Sequence, residues 1–386
     1  MNLPSNQMPY RWSRPLRALA LLPAAFACVS GAMPDARLFG NGRGMNMGTA
    51  VLATGTPRTY QVQPTRYAPA IVRRIADSGF GFVRLVITPT PLMVEDAAAR
   101  ARALTWLAAM IDAYRAAGLR VVADLHFWSS DAPVKQDNVA PDLHRRAALI
   151  RAQVAMARML ASRSGVALEL LNEPPCWQNG KPFNWAAVQA AMVARVRAVA
   201  PRLPLVLTGC RGTAAALIAL DAKAYRGDPN IAWTFHYYDP GAFVGQEGDG
   251  VRDVPFPPDP KLAGDMAAKM LPAPGSPRRS WVAAQLDEYL RLHRGQPTIR
   301  TDMAAVAAWA RRQNVPPGRI LVGEFGVDLT PQKSPTLLDD EYRWLRAVRA
   351  EATAQGFAWA YWTLPNPNVW KQDPPTDFPA PDVSAR

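Results

Sequence analysis

The sequence predicts an α/β protein, a single (β/α)8 TIM barrel with a long insertion after strand six. From residue 40 onward, short apolar runs alternate with long amphipathic stretches, which is typical of βα units around a parallel sheet. Eight such runs fit within the 386 residues, and eight is the number of strands that closes such a barrel. No GxGxxG turn follows the first run, so the alternative, an open doubly wound sheet, is not favoured.

Each predicted strand is a short, mainly apolar run, and each predicted helix is a longer stretch that often stops at a glycine, as at Gly79 and Gly118. The predicted strands are residues 43–51, 80–87, 119–127, 166–173, 204–209, 231–238, 319–326 and 357–364. The predicted helices are residues 67–79, 94–118, 140–163, 184–200, 213–225, 299–313 and 337–355. The proline-rich tail after residue 364 shows no convincing eighth helix.

The insertion covers residues 241–297 and is far longer than an ordinary βα loop. It is rich in proline, glycine and aspartate, and residues 280–293 have a helix-like pattern. In a barrel it would follow a strand on the face where active sites form, so we expect either a cleft wall or lid, or a decorative insertion.

Residues 1–32 have the pattern of a signal peptide. Arg11, Arg14 and Arg17 form a basic region, the apolar segment 18–29 follows, and small residues suit cleavage after Ala32. The apolar segment is too short for a comfortable membrane span, and no other run is long enough to cross a bilayer. We therefore expect a secreted or periplasmic protein whose catalytic barrel is residues 33–386, with a cytoplasmic N-terminal helix as the alternative.

The formal net charge is +13, but the arginines are scattered singly and form no dense cluster with aromatic residues, so a nucleic-acid partner is not expected. After signal removal two cysteines remain, Cys176 and Cys210, each just past a predicted strand. They form a disulfide in an oxidising compartment if those strands are neighbours, and two free thiols are the alternative.

Two stretches of the same form each place a glutamate at the end of a buried strand. Residues 168–175 read LELLNEPP, where the prolines stop the strand at Glu173. Residues 319–327 read RILVGEFGV and place Glu324 before a glycine-containing turn. A pair of carboxylates is what the hydrolysis of a glycosidic bond requires.

Residues two apart on a strand share a face, and this alternation predicts one polar ring at the C-terminal end of the barrel. The ring consists of Arg84, His126, Glu173, His236, Tyr238, Glu324 and Trp362. In strand seven the rule places Ile320, Val322 and Glu324 together on the inner face. Asp124 and Glu169 are expected deeper inside, satisfied by hydrogen bonds, and Asn172 is out of phase with Glu173 unless the strand end twists or bulges.

The chain resembles glycoside hydrolase family 5, the cellulase family of the retaining (β/α)8-barrel clan. The matching motifs, in the order of the family, are VRLVI, ADLHF, LELLNEP, FHYYDP, VGEFGV and AYWTL. The resemblance implies that Glu173 is the general acid/base and Glu324 the nucleophile. It further implies that Arg84 and Tyr238 hydrogen-bond Glu324 and that Asn172 holds the sugar 2-hydroxyl.

The resemblance also implies that His126 and His236 line the subsite where the bond is cleaved and that Trp362 forms its floor. Beyond the motifs, Trp128 and Trp177 follow strands three and four, where their rings either stack on sugars or serve surface packing.

The expected function is an exported, monomeric, retaining hydrolase that cleaves internal β-1,4-glucosidic bonds of a β-linked polysaccharide without a cofactor. The alternatives are an endo-β-mannanase or another β-glycan hydrolase of the family, and an inactive carbohydrate-binding protein on the same scaffold. A metal-dependent hydrolase predicts a histidine pair such as HxH, and none of the four histidines is so spaced. No metal site is therefore expected.

Overall fold

The computed structural model describes residues 38–48, 51–54, 59–62, 69–127, 139–245, 251, 253–259, 261–262, 268–327 and 335–362. The chain divides into two compact units, residues 1–34 and residues 35–386, and every described residue belongs to the second. The predicted signal peptide and the tail after residue 364 lie outside the described residues.

Eight parallel strands close into a barrel, which confirms the predicted fold. They are β1 (Arg43–Met47), β4 (Phe82–Ile87), β5 (Arg120–Leu125), β6 (Val166–Glu169), β9 (Leu205–Thr213), β10 (Ile231–His236), β11 (Ile320–Glu324) and β12 (Ala358–Tyr361). Their order around the barrel is β1-β12-β11-β10-β9-β6-β5-β4, and β1 pairs with both β12 and β4 to close the ring. Because successive strands along the chain are neighbours, their C-terminal ends meet at one face.

Helices cover the outside of the barrel. In the described residues they are α1 (Pro69–Asp77), α2 (Thr90–Met93), α3 (Ala97–Ala116), α4 (Leu143–Leu160), α5 (Trp185–Arg197), α6 (Ala214–Ile218), α7 (Gly241–Val244), α8 (Arg279–Arg291), α9 (Gln296–Gln313) and α10 (Pro335–Ala354). Short polar side chains cap several of them: Asp96 accepts from backbone N–H groups of α3, and Asp142 from one of α4. The predicted helix 213–225 is instead α6 followed by a 3-10 turn, Ala222–Tyr225.

The core has two parts, as strand alternation requires. An inner layer takes Phe39, from the turn before β1, and small or apolar side chains from the strands: Phe82, Val122, Ala167, Val206, Ala232, Leu321, Ala358 and Ala360. The outer layer packs the opposite strand faces, such as Trp233 and Phe235, against the helices. The predicted parity of β4, β5, β10 and β12 agrees with this division.

The predicted parity of strand seven is wrong. Ile320 and Val322 belong to the outer layer, whereas Leu321 faces the interior. The register between β10 and β11 shifts, so that Phe235 pairs with Val322 and His236 with Glu324. The extra residue is Gly323, and this bulge turns Glu324 back into the barrel.

Two other strands differ from their predicted bounds. β6 ends at Glu169 rather than at residue 173, so that Asn172 and Glu173 lie on an irregular segment beyond it. β9 runs on to Thr213, and its register with β10 jumps from Thr208 to Thr213. Two hairpins were not predicted: β2 (Val51–Thr54) with β3 (Thr59–Val62), and β7 (Trp177–Gln178) with β8 (Lys181–Pro182).

The stretch predicted as an insertion contains α7 and α8, and α8 corresponds to the helix-like pattern at 280–293. Helix α9 begins at Gln296 and returns the chain to the barrel wall. Within the described part of the chain, no helix has both the length and the apolar character needed to cross a bilayer.

Candidate active site

The C-terminal ends of the barrel strands bring one connected set of polar side chains together. Contacts link Arg84, His126, Asn172, Glu173, His236, Tyr238, Glu324 and Trp362. Trp177 lies apart from this set, on the hairpin β7–β8, and its side chain is 61% exposed. Trp128 lies outside the described residues.

The two glutamates face each other across His236. Carboxylate oxygens of Glu173 and Glu324 lie within 4.8 Å of each other. Nδ1 of His236 is 2.8 Å from Oε1 of Glu173 and 3.4 Å from Oε2 of Glu324. The Glu173 side chain is 32% exposed and that of Glu324 is buried, so one carboxyl is open to solvent and the other is shielded from it.

Glu324 is held by two donors besides His236. Nη1 of Arg84 donates to its Oε1 at 2.7 Å, and the hydroxyl of Tyr238 donates to its Oε2 at 3.0 Å. Burial by itself raises the pKa of Glu324, but the positive charges of His236 and Arg84 outweigh burial and lower the pKa below its ordinary value. The carboxylate is therefore ionised and fixed in one orientation.

The charge of Glu324 shifts the pKa values of its neighbours His236 and Tyr238. Burial lowers the pKa of His236, yet the negative charges of Glu324 and Glu173 outweigh it and raise the pKa above its ordinary value. Burial, together with the charge of Glu324, raises the pKa of Tyr238 well above its ordinary value. The Tyr238 hydroxyl therefore stays a donor to the Glu324 carboxylate, and the same negative charges favour the protonated form of His236.

Arg84 organises the floor of the site. Its Nε and Nη2 bind Glu169 in a bidentate pair at 2.8 Å each, and its Nη2 also donates to Oδ1 of Asn172 at 3.0 Å. Its Nη1 donates to Oδ1 of Asn46 at 3.0 Å, and the Asn46 amide in turn donates to backbone carbonyls of β11 and β12. Asn46 was not among the predicted site residues, although an asparagine inside the apolar run of β1 was a usable signal.

The backbone around Glu173 is unusual. Glu173 has a left-handed φ of +34°, which lets Asn172 and Glu173 point into the same site although they are neighbours in sequence. Gly212, with φ +63°, packs directly against it: a Cβ at Gly212 would lie 3.1 Å from Cγ of Glu173 and 3.1 Å from Nδ1 of His236. Gly212 was also not singled out, because strand five was expected to end at Gly209.

A disulfide between Cys176 and Cys210 joins the segment after Glu173 to the end of β9. Of the two alternatives left open by the sequence, the structure has the bridged form. The backbone N–H of Arg211 also donates to the carbonyl of Pro174. These two links tie the Glu173 segment to its neighbouring strand and hold it in place.

An open cleft of about 700 Å³ lies beside this disulfide. Its lining residues are Pro141, Asp142, Arg145, Pro175, Cys176, Trp177, Gln178, Asn179 and Arg211. An exposed indole ring beside polar side chains is the kind of surface on which a sugar ring packs while its hydroxyls find partners.

Two sets of side chains in the described region bring metal-ligand atoms within 4.8 Å of one another: Asp124, His126 and Glu324, and Glu173, His236 and Glu324. In both sets protein cations already neutralise the carboxylates. The guanidinium of Arg84 contacts Asp124 at 3.0 Å and Glu324 at 2.7 Å. The donor chemistry thus fits an internal ion-pair network better than a cation site.

A model of the Cellulase family, glycosyl hydrolase family 5, matches residues 43–368 of the chain. The chain belongs to this family. The resemblance inferred from the strand-end motifs is thereby confirmed. The polar and aromatic side chains of those motifs that the structure describes form one connected cluster at the C-terminal face of the barrel.

Similar proteins and structures agree with this assignment. Endoglucanase 3 of Fibrobacter succinogenes is 24% identical over 211 residues; the match covers 52% of this chain and 30% of that protein, so the chain spans about a third of this relative's length. A hyperthermophilic endo-β-1,4-glucanase in complex with substrate superposes with a TM-score of 0.59 at 21% identity, over 84% of this chain and 89% of the other. Thermotoga maritima Cel5A in complex with mannotriose gives a TM-score of 0.61 at 18% identity, over 86% and 92%. At these identities the structural matches establish the shared fold.

Proposed function

We propose that this protein is an exported, retaining glycoside hydrolase that cleaves internal β-1,4-glucosidic bonds of a β-glucan by double displacement. One observation carries the proposal: a buried, ionised carboxylate lies within 4.8 Å of a half-buried one. A short separation leaves no room for a water between the glycan and the second carboxylate, and retaining enzymes have carboxyl groups about 5–5.5 Å apart against about 6.5–9.5 Å in inverting ones.

In the first displacement Glu324 attacks the anomeric carbon while Glu173 gives its proton to the departing glycosidic oxygen. The carbon–oxygen bond to the leaving sugar breaks, and an ester joins the remaining sugar to Glu324. In the second displacement Glu173, now ionised, takes a proton from water, and the water oxygen attacks the anomeric carbon and releases Glu324. Two inversions give net retention of configuration.

The environments of the two glutamates suit these roles. Arg84, Tyr238 and His236 keep Glu324 ionised and oriented, as a nucleophile requires. Glu173 is 32% exposed and hydrogen-bonded to His236, so it reaches both solvent and the leaving oxygen, as a group that serves first as acid and then as base must.

Cleavage inside a chain requires room for sugars on both sides of the scissile bond. We assign the leaving sugars to the cleft beside the disulfide, because Pro175 and Cys176, which line it, follow closely after Glu173 in the chain, and Trp177 provides a ring there for stacking. The endo-β-1,4-glucanase neighbour supports a glucan as substrate. A second candidate, an endo-β-mannanase, is supported by the neighbour crystallised with mannotriose.

The proposed location is secreted or periplasmic. The disulfide between Cys176 and Cys210 supports an oxidising compartment, because such bonds persist there and are rare in a reducing cytoplasm. Together with the basic and apolar segments before Ala32, it supports export of the enzyme with residues 1–32 removed. N-terminal sequencing of the protein recovered from culture medium and periplasm tests this part of the proposal.

The mechanism is tested with a panel of soluble β-glucans and mannans and three isosteric variants. Glu173→Gln and Glu324→Gln remove the two reactive carboxyls, whereas Glu351→Gln alters a buried glutamate on the outer helix α10 that binds Arg300. We expect each of the first two to lose at least about three orders of magnitude in kcat and the third to remain active. Activity near the wild-type level in either site variant, or reducing sugar released from no polymer by the wild type, would overturn the proposal.

Azide distinguishes the two roles. In Glu324→Ala a small anion takes the place of the missing carboxylate and attacks directly, so the product is an α-glycosyl azide. In Glu173→Ala azide attacks the ester on Glu324 without needing a base, so the product is a β-glycosyl azide. Proton NMR identifies the anomers, and the opposite assignment would exchange the roles of the two glutamates.

A further inference from the structure

Asp124 begins a chain of buried contacts that ends at the substrate side of the site. Its Oδ2 lies 3.2 Å from Nδ1 of His126, and Nε2 of His126 lies 3.2 Å from Nδ2 of Asn172. Oδ1 of Asn172 accepts from Nη2 of Arg84 at 3.0 Å. All four side chains are buried, so solvent does not substitute for a missing partner.

The direction of every hydrogen bond in this chain follows from Arg84. A guanidinium only donates, so the atom of Asn172 that faces it is the oxygen, and the amide nitrogen faces His126. An amide nitrogen also only donates, so Nε2 of His126 accepts. The imidazole proton therefore sits on Nδ1 and points at Oδ2 of Asp124.

The opposite tautomer of His126, with its proton on Nε2, would place two hydrogen-bond donors opposite each other. With the proton on Nε2, the N–H of His126 would face the N–H of Asn172, and turning the amide over would direct its nitrogen at Arg84. Each arrangement leaves buried polar atoms without a partner, which is costly. An acceptor at Asp124 is what keeps the imidazole in the tautomer that Asn172 needs.

We infer that Asp124 is a positioning residue that fixes the amide of Asn172 through His126. One N–H of Asn172 is thereby used on His126, and the second is left for the 2-hydroxyl of the sugar at the scissile bond. This inference rests on the proposed function and on the contact with the 2-hydroxyl that the family resemblance implies for Asn172. Hydrogen bonds to this hydroxyl strengthen in the transition state, so a misplaced amide lowers kcat/KM rather than binding alone.

Asp124 also forms an ion pair with Arg84 at 3.0 Å, so the test must separate the loss of the charge of Asp124 from the loss of its hydrogen-bond acceptor. Asp124→Asn removes the charge but keeps an oxygen at the Oδ2 position, which serves both Arg84 and His126. Asp124→Leu removes the acceptor. Two substrates are compared, 4-nitrophenyl β-cellobioside and its analogue lacking the 2-hydroxyl of the sugar attached to the aryl group.

We expect Asp124→Leu to lose about 10-fold to 100-fold in kcat/KM on the hydroxylated substrate, the range seen when the outer partner of a functional side chain is removed. On the 2-deoxy substrate the loss should be within about twofold, since the contact at issue is already absent. Asp124→Asn should restore most of the activity. Equal losses on both substrates, or an Asp124→Asn variant as impaired as Asp124→Leu, would overturn the inference.

A second measurement needs no folded variant of Asp124. Nitrogen-15 NMR of the wild-type protein labelled at histidine reports which ring nitrogen of His126 carries the proton, with the signals assigned by comparison with His126→Gln. We expect the proton on Nδ1, and a proton on Nε2 would overturn the inference. Failure of the wild type to hydrolyse both the cellobioside and the corresponding mannobioside would instead count against the proposed function, whatever the tautomer.

Discussion

Gly212 provides a sharp test of how the site is held. Its φ of +63° lies in the left-handed region, and a Cβ there would approach Cγ of Glu173 and Nδ1 of His236 to 3.1 Å each. Ordinary contacts of this kind begin at 3.4 Å, so a Gly212→Ala substitution requires each neighbour to move by about 0.3 Å. We expect the substitution to disturb Glu173, the proposed acid/base, and His236 together.

Gly212→Ala is expected to lower both the free energy of unfolding and the reaction rate, and the two effects are separable. The left-handed backbone costs alanine about 1–2 kcal/mol of unfolding free energy relative to glycine. A misplacement of 1 Å costs on the order of 100-fold in rate, so 0.3 Å costs about fourfold for each displaced side chain and on the order of tenfold for both. Tenfold corresponds to about 1.4 kcal/mol in the activation barrier.

Gly118 supplies a matched control because its φ is +83° and no atom lies within 4 Å of the position of its Cβ. Gly118→Ala therefore carries the backbone cost without the crowding. Urea unfolding should show similar losses of stability for the two variants, whereas kcat/KM on an aryl β-cellobioside should fall only in Gly212→Ala. A Gly212→Ala enzyme as active as Gly118→Ala would refute the argument that this glycine positions the pair.

Arg84→Lys leaves at least two of the five hydrogen bonds of the guanidinium unmade, and urea unfolding should show a loss of about 2–6 kcal/mol. Arg300→Lys, at an exposed arginine, should lose less than about 1 kcal/mol, and equal losses would contradict the assignment of Arg84 as the organising cation. Because the pKa of Glu324 is lowered, its carboxylate stays ionised as the pH falls until that lowered pKa is passed. The acidic limb of the pH profile of kcat/KM should therefore lie below pH 4.5, the ordinary pKa of a glutamate. An acidic limb above pH 4.5 would contradict the electrostatics derived for Glu324. Trp177→Ala should raise KM for a soluble β-glucan about two- to tenfold, which corresponds to the loss of about 0.5–1.5 kcal/mol of ring contact. Trp106→Ala, on the outer helix α3, should leave KM unchanged. The same KM in both variants would place sugar binding elsewhere.

Strand alternation was sufficient to predict most of the barrel. Phe82 and Ala232 line the inner layer and Trp233 the outer one because side chains on a strand point to opposite faces, and this rule needs no knowledge of the partner strands. The same rule predicted that Arg84 and His236 lie at the C-terminal end of the barrel and point inward. Helix bounds were predicted to within a few residues wherever a capping residue or a glycine marked the end.

The rule failed where the backbone departs from a regular strand. A bulge at Gly323 reverses the facing of Glu324 relative to Val322, and this position packs against another strand: a Cβ at Gly323 would come within 2.3 Å of Oγ1 of Thr234. The left-handed turn at Glu173 and the irregular end of β9 at Gly212 depend in the same way on each other. Contacts between strands distant in sequence decided these features.

From the amino-acid sequence alone came the eight βα units and the two strand-end glutamates, because apolar periodicity and proline or glycine stops are local properties of the chain. Only the tertiary structure decided the hydrogen-bond partners of Arg84, the disulfide between Cys176 and Cys210, and the approach of Glu173 to Glu324 within 4.8 Å. The hydrogen-bond directions, charges and burial of the site depend on side chains that are far apart in sequence. Arg84 and Glu324, for example, are 240 positions apart and meet only when the barrel closes.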